Sequence, residues 1–190
     1  MNKDEVVALL RTSDVKIAFD TNALESDRRF NQLCNSINRI NQKFRFQLQL
    51  TIPTLAYFEK LYHLKQKYSD SYDFDLILKG LQGKQVQIMS FEPIHAEGVV
   101  GLIHTQFSTR EEWLAAKIKR CAKCLGINEK IVSGSKKCSA TVDWLIAGYA
   151  IKENSLLITN DQGIEFKDVN KKTTLEIFEQ AIQELLVDKI

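Results

Sequence analysis

Four acidic residues, Asp20, Glu59, Asp143 and Asp161, occupy places from which a fold can gather them around one cation. Asp20 closes the run Val15-Lys-Ile-Ala-Phe-Asp20, a β-branched and aromatic strand pattern that passes straight into Thr21 and Asn22. Asp161 closes Leu156-Leu-Ile-Thr-Asn-Asp161 in the same way. Open α/β sheets bind ligands in the crevice beyond the carboxyl ends of their strands, so two strands ending in Asp predict one shared acidic pocket. Clustered carboxylates resist joint ionisation unless a cation compensates them. An all-oxygen donor set suits Mg²⁺ or Mn²⁺ rather than zinc. An ion held this way polarises a phosphate and activates a bound water, and no side-chain nucleophile is required.

The other two acids fall on helices. Pro53 pre-sets a first helical turn, and the segment it opens carries Glu59. Asp143 lies in the first turn of the apolar helix that starts near Thr141, where the helix dipole favours an anion. Each acid has an ordinary alternative: Asp20 and Asp161 as turn formers, Asp143 as a dipole partner, Glu59 as a surface charge beside His63. The conjunction favours a site. A helix that is apolar almost all round places Asp143 in a buried setting, and a buried acid needs a partner.

These acids must be positioned by the surrounding elements. Helical and strand patterns alternate along the chain, which predicts an α/β fold with a mainly parallel sheet of four to five strands. Strands are expected at 15–20, 46–52, 85–91 and 156–160, with a minor one in 164–169. Helices are expected at 3–11, 27–43, 54–68, 72–82, 94–104, 108–125, 140–153 and 173–187, that over 108–125 opening on a Ser108/Glu111 capping box. In the second strand Phe46, Leu48, Leu50 and Ile52 alternate with Gln47, Gln49 and Thr51, which predicts one covered face and one more polar face, unusual for a central parallel strand. Small residues Ala147, Gly148 and Ala150 are expected to let the helix over 140–153 approach the sheet closely.

A chain of 190 residues with a formal net charge of +2 is long enough for one well-buried core, so a single domain over 1–190 is expected. The charge is uneven. Eight Lys or Arg stand between Arg110 and Lys137 against three Glu, and a basic stretch beside an acidic pocket suits a phosphodiester held near a metal. Arg110, Lys136 and Lys137 are the candidate nucleic-acid contacts; the alternative is a solvated helix face and a polar loop. The charged start Met1-Asn-Lys-Asp-Glu5 and the short apolar run after it predict no signal peptide. With no run long enough for a membrane span, a cytoplasmic location and no membrane partner are expected. Cys121, Cys124 and Cys138 read as buried reduced thiols, with structural zinc, His104 completing the set, as the alternative. The histidines do not converge.

Phe19-Asp-Thr-Asn22, the Pro53-opened helix with Glu59, Val142-Asp-Trp-Leu-Ile-Ala147 and Leu157-Ile-Thr-Asn-Asp161, taken in this order, resemble the PIN-domain ribonuclease family from Val15 to about Asp168. The resemblance implies a three-layer α/β/α sandwich and a metal-dependent endoribonuclease acting on single-stranded or structured RNA, with DNA left open. It makes Asp20, Glu59, Asp143 and Asp161 the metal ligands or water-activating acids. Asn22 and Thr159 become the hydrogen-bonding groups behind them, or else ordinary turn and strand residues. The segment at about 105–139 is enlarged relative to compact members. Many small bacterial members are toxins neutralised by an antitoxin, so an antitoxin protein and a homodimer are the partner expectations. Two further classes compete: a non-catalytic nucleic-acid-binding or assembly scaffold, and a haloacid-dehalogenase-type phosphatase. The latter uses Asp-x-Asp, and here Asn22 replaces its general acid.

Overall fold

Strand patterns from opposite ends of the chain lie side by side in the computed structural model, which describes residues 1–24, 26–126 and 140–187. Five parallel strands, β1 (Val15–Phe19), β2 (Leu48–Pro53), β3 (Val86–Met89), β4 (Leu156–Ile158) and β5 (Lys172–Thr173), form one sheet in the order β3-β2-β1-β4-β5. Among the described residues the α-helices are α1 (Lys3–Thr12), α2 (Asp27–Lys43), α3 (Thr54–Tyr68), α4 (Phe74–Gly83), α5 (Pro93–Gln106), α6 (Arg110–Leu125), α7 (Ala140–Lys152) and α8 (Leu175–Val187). Helices α1 and α2 pack on α8, while α3, α5 and α6 pack on α7. The result is an α/β/α sandwich around an all-parallel sheet: the alternation of patterns predicts the parallel sheet, and the family resemblance implies the three layers. No helix among the described residues is long and apolar enough to cross a membrane.

The order of strands decides where a ligand fits. From β1 the chain winds outward through β2 to β3, then returns to add β4 and β5 on the other side of β1. The winding therefore reverses between β1 and β4, and a crevice opens at their carboxyl ends. Phe19 meets Phe30 of α2 and Phe178 of α8 edge-on, with ring centroids 5.3 and 6.3 Å apart. Successive strand residues point to opposite faces, so Asp20 is turned toward the layer that contains α7.

Several local expectations need correction. In β2 only Gln49 is exposed; Thr51 is buried and its hydroxyl donates to Ile17 O at 3.0 Å. Thr51 is tolerated in a buried position because that hydroxyl is satisfied within the sheet, which removes the cost of burying it. Residues 164–169 are not a strand. Phe166, Lys167 and Val169 donate backbone hydrogen bonds three residues back, making a 3₁₀ turn over Ile164–Phe166, and the fifth strand comes later, at Lys172–Thr173. The box at the start of α6 sits one residue further on: Thr109 Oγ1 accepts from Glu112 N at 3.2 Å and the Glu112 carboxylate accepts from Ser108 N at 2.8 Å.

Gly148 serves the contact of α7 with α5 rather than with the sheet. A Cβ there would lie 2.4 Å from Val99 Cγ2 and 2.7 Å from Val99 N. Cys34 is a buried free thiol, but Cys121 is disulfide-bonded, so the expectation of reduced thiols fails at that position. The side chain of Cys124, and Cys138, lie outside the described residues, as does the zinc alternative that needs them.

Candidate metal site at the strand-order reversal

Parallel pairing brings the two strand-end motifs together. Phe19 stands opposite Ile158 in the β1–β4 register, and Asp20 N donates to Ile158 O at 3.0 Å. Asp20 and Thr159, the next residues on each strand, are neighbours: the Thr159 hydroxyl donates to Asp20 Oδ2 at 2.7 Å. Asn22 completes the clasp. Its amide donates to Asp20 Oδ2 at 2.7 Å and its Oδ1 accepts from Asn160 N at 2.9 Å. Thr21 N donates to Asp20 Oδ1 at 2.7 Å, and the Thr21 hydroxyl donates to Glu59 of α3. Asn22 and Thr159 thus stand behind Asp20 and hold its carboxylate in place.

Asp161 folds back over the same turn. Its N–H donates to Thr159 Oγ1 at 3.0 Å and its Oδ1 accepts from Gly163 N at 2.7 Å. Arg120, from α6, ties the remaining acids together: its Nη2 lies 2.6 Å from Asp161 Oδ2 and 3.7 Å from Asp143 Oδ2, while its Nε donates to Glu165 Oε1 at 3.1 Å. One guanidinium therefore spans Asp143, Asp161 and a fifth acid. Glu165 is 0 % exposed, and its Oε2 has no hydrogen-bond partner. Gly163 makes room for it, since a Cβ there would lie 2.1 Å from that oxygen.

The electrostatics follow from this crowding. Asp20 is only 4 % exposed. Burial raises its pKa, and the charges of Glu59 and Asp161 push the same way against the hydrogen bonds from Thr159 and Thr21. Asp143 is pushed up to about 7, by burial first and then by Asp20, Glu165 and Asp161, with Arg120 opposing. A helix N-terminus favours an anion by roughly 0.3–1 kcal/mol, up to about 2 in partly buried geometries. Burial and three like charges outweigh it here.

Arg120 links Asp143 and Asp161 beside Asp20, whereas Glu59 stands at the edge of the crevice, reached only through the Thr21 hydroxyl. Arg110 is exposed at the first turn of α6, and Lys136 and Lys137 lie outside the described residues. The basic character of α6 is partly directed inward, because Arg120 faces the acids. His63 and His104 are exposed, and His95 is buried between Glu92 N and Glu153 (2.7 and 3.0 Å), so the histidines do not join the site. An apolar cleft of about 390 Å³ between α2, α3 and α4, lined by Phe30, Ile52, Tyr57 and Ile77, contains none of the four acids.

Glu165 and Arg120 are the site residues that sequence reading misses. Glu165 does carry a signal, an isolated acid between Ile164 and Phe166 in an apolar segment. Arg120 carries none that separates it from Lys117 and Lys119 on the same helix.

The donors around the crevice are carboxylate oxygens with one buried orphan among them, a set that fits a hard divalent cation. Among the described residues, however, no three acidic, His or Cys side chains are already grouped to hold one ion. Arg120 stands between the nearest candidates. No protein-family model matches the chain, and no curated protein matches it.

Proposed function

We propose that this chain is a divalent-metal-dependent nuclease of the PIN type that hydrolyses RNA phosphodiesters. The observation that carries the reading is the convergence of Asp20, Asp143 and Asp161, with Glu59 and Glu165 beside them, at the reversal between β1 and β4. Bound Mg²⁺ or Mn²⁺ supplies charge neutralisation at the phosphate and an activated water. The protein's part is to hold oxygens for the ion. Asp20 is fixed by Thr21, Asn22 and Thr159; Asp161 is fixed by Gly163; Asp143 comes from α7 at the opposite wall. Asp143 is the acid whose ionisation the ion most needs to favour, since its proton is retained up to about pH 7. The role of toxin in a toxin–antitoxin pair, with an antitoxin partner, a homodimer and a cytoplasmic setting, belongs to this proposal through the family resemblance alone.

A second reading has its own support. Arg120 already neutralises part of the cluster, as a permanent counter-ion would in a non-catalytic nucleic-acid-binding scaffold. Single-stranded RNA incubated with Mg²⁺ or Mn²⁺ separates the two. The nuclease cleaves, EDTA stops it, and Asp143→Asn abolishes cleavage while the circular-dichroism spectrum stays native. Binding of RNA without cleavage in the presence of either ion supports the scaffold, and cleavage of DNA alone would correct the substrate.

A further inference from the structure

Helix α4 is strongly amphipathic and yet buries none of its residues. Phe74 and Leu76 are exposed, while Ile77 and Leu81 are half-buried; α2, by contrast, buries five side chains. Ile77 and Leu81 line the cleft of about 390 Å³ that α4 shares with α2 and α3, together with Phe30, Ile52, Tyr57 and Leu64. That is the size of an ordinary small-molecule site. Gly80 lines it too, and a Cβ there would meet only Lys84 Nζ, at 3.7 Å, an ordinary contact. Glycine weakens a helix relative to every residue but proline, so a glycine where a larger residue fits leaves the cleft open at a cost to α4.

The polar groups on its walls fix the chemistry of an occupant. Asp27 and Asp73 are already engaged: Asp27 pairs with Lys60 at 3.0 Å, and Asp73 Oδ1 accepts from Leu76 N at 2.9 Å as the cap of α4. The donors are less well served. Lys84 Nζ donates to Gly80 O at 3.0 Å and has no carboxylate partner among the described residues. An ammonium has three donors, so two remain for a ligand. Tyr57 is only 8 % exposed, and its hydroxyl is buried without a hydrogen-bond partner. Unmet donors on apolar walls favour a ligand whose polar atoms only accept.

We infer that the cleft between α2, α3 and α4 binds a small amphipathic carboxylate, with its apolar body along α4 and its carboxylate on Lys84 Nζ. Burial of the body against Ile77, Leu81 and Phe30 supplies the affinity. The charge-assisted bond to Lys84 selects an acid over an alcohol or an amine of the same length. The cleft contains none of the acids of the crevice, so the inference stands apart from the metal-site reading.

The test is isothermal titration calorimetry of the full chain with decanoate, decanol and decylamine, each below its micelle-forming concentration. Wild type, Lys84→Gln and Gly80→Leu are compared, with thermal melting recorded for each. Wild type is expected to bind decanoate most tightly and decylamine least. Octanoate should bind roughly 15-fold more weakly than decanoate, since each of the two lost methylenes contributes about fourfold. Lys84→Gln should weaken decanoate about tenfold, the loss of one charge-assisted hydrogen bond, and leave decanol unchanged. Gly80→Leu occupies the cleft and should weaken both ligands about tenfold or more. Should Gly80→Leu not fold, Lys84→Gln decides alone. Decylamine bound as tightly as decanoate overturns the acid headgroup. Decanoate binding that neither folded variant weakens lies elsewhere on the molecule and overturns the site, as does an absence of binding to wild type. A dimer in sedimentation equilibrium that Gly80→Leu disrupts would overturn it in favour of a second copy of the chain.

Discussion

Replacing Asp143 by Asn should make the metal-free protein more stable at neutral and alkaline pH while removing its activity. The magnitude comes from the crowding of acids in the crevice. The carboxyl of Asp143 titrates at its ordinary value, 3.8, in the unfolded chain and at about 7 in the folded one. Between these values folding takes up a proton, so stability falls as pH rises, and above about 7 the whole penalty is present. Each pKa unit corresponds to 1.36 kcal/mol. The raised value therefore sets an upper limit of about 4 kcal/mol, and the 26 % exposure of the side chain brings the expected cost to about 2–4 kcal/mol. Asparagine carries no charge and keeps nearly the same shape. Urea denaturation in EDTA from pH 4 to pH 9 measures the difference. The variant should exceed wild type by roughly that amount at pH 8, and the gap should close toward pH 4. Saturating Mn²⁺ should reverse the order, because only wild type gains the full linkage from the bound ion. A variant that is less stable at pH 8, or a gap that does not depend on pH, would refute the reasoning.

Asp20→Asn should not share this gain, although relief of like-charge repulsion alone would favour it. The Asp20 carboxylate accepts from Thr21 N, the Asn22 amide and the Thr159 hydroxyl, and an amide nitrogen in its place would face donors; denaturation at pH 8 in EDTA should show it no more stable than wild type. Thr159→Val removes the hydroxyl that joins Asp20, Asn22 and Asp161 N, and Mn²⁺ affinity should fall by roughly 10–100-fold in calorimetry, the usual cost of losing such a supporting bond. Gly148→Ala forces a methyl against Val99 N and His95 O, so urea midpoints should report a loss of about 1–3 kcal/mol with the site chemistry intact. Glu153 is held below its ordinary pKa by Lys16 and then His95. Its contribution is present above the unfolded value of 4.5 and is lost as pH falls through the lower folded value, so Glu153→Gln should flatten the acid limb of the stability profile.

The parallel sheet and the two strand-end acids were legible because both are local: β-branched runs form strands, and a run that ends in Asp places that carboxylate at a strand end. Asn22 and Thr159 were expected as supporting residues through the family resemblance; Asn22 lies two positions from the acid it holds, whereas Thr159 reaches Asp20 across 139 positions, through the pairing of β1 with β4. The fifth strand was not legible. Ile164, Phe166 and Val169 carry enough apolar character for a strand, yet the turn begun at Gly163 closes three-residue hydrogen bonds and makes them a 3₁₀ segment. Glu165 was hidden by that misreading, since a strand register gives it no reason to face the crevice. Arg120 was out of reach for another reason. Its partners Asp161 and Glu165 lie 41 and 45 residues away, and nothing in a helix that also carries Lys117 and Lys119 tells which cation turns inward. Pattern reading also placed Gly148 against the sheet, because it reports a small residue but not which neighbour approaches it.

Diffraction from crystals soaked in Mn²⁺, recorded for its anomalous signal, tests the metal site most directly. An anomalous peak should lie about 2.1 Å from carboxylate oxygens of Asp20, Asp143 and Asp161. A well-occupied Mn²⁺ elsewhere on the molecule, with the crevice free of anomalous density, would contradict the account.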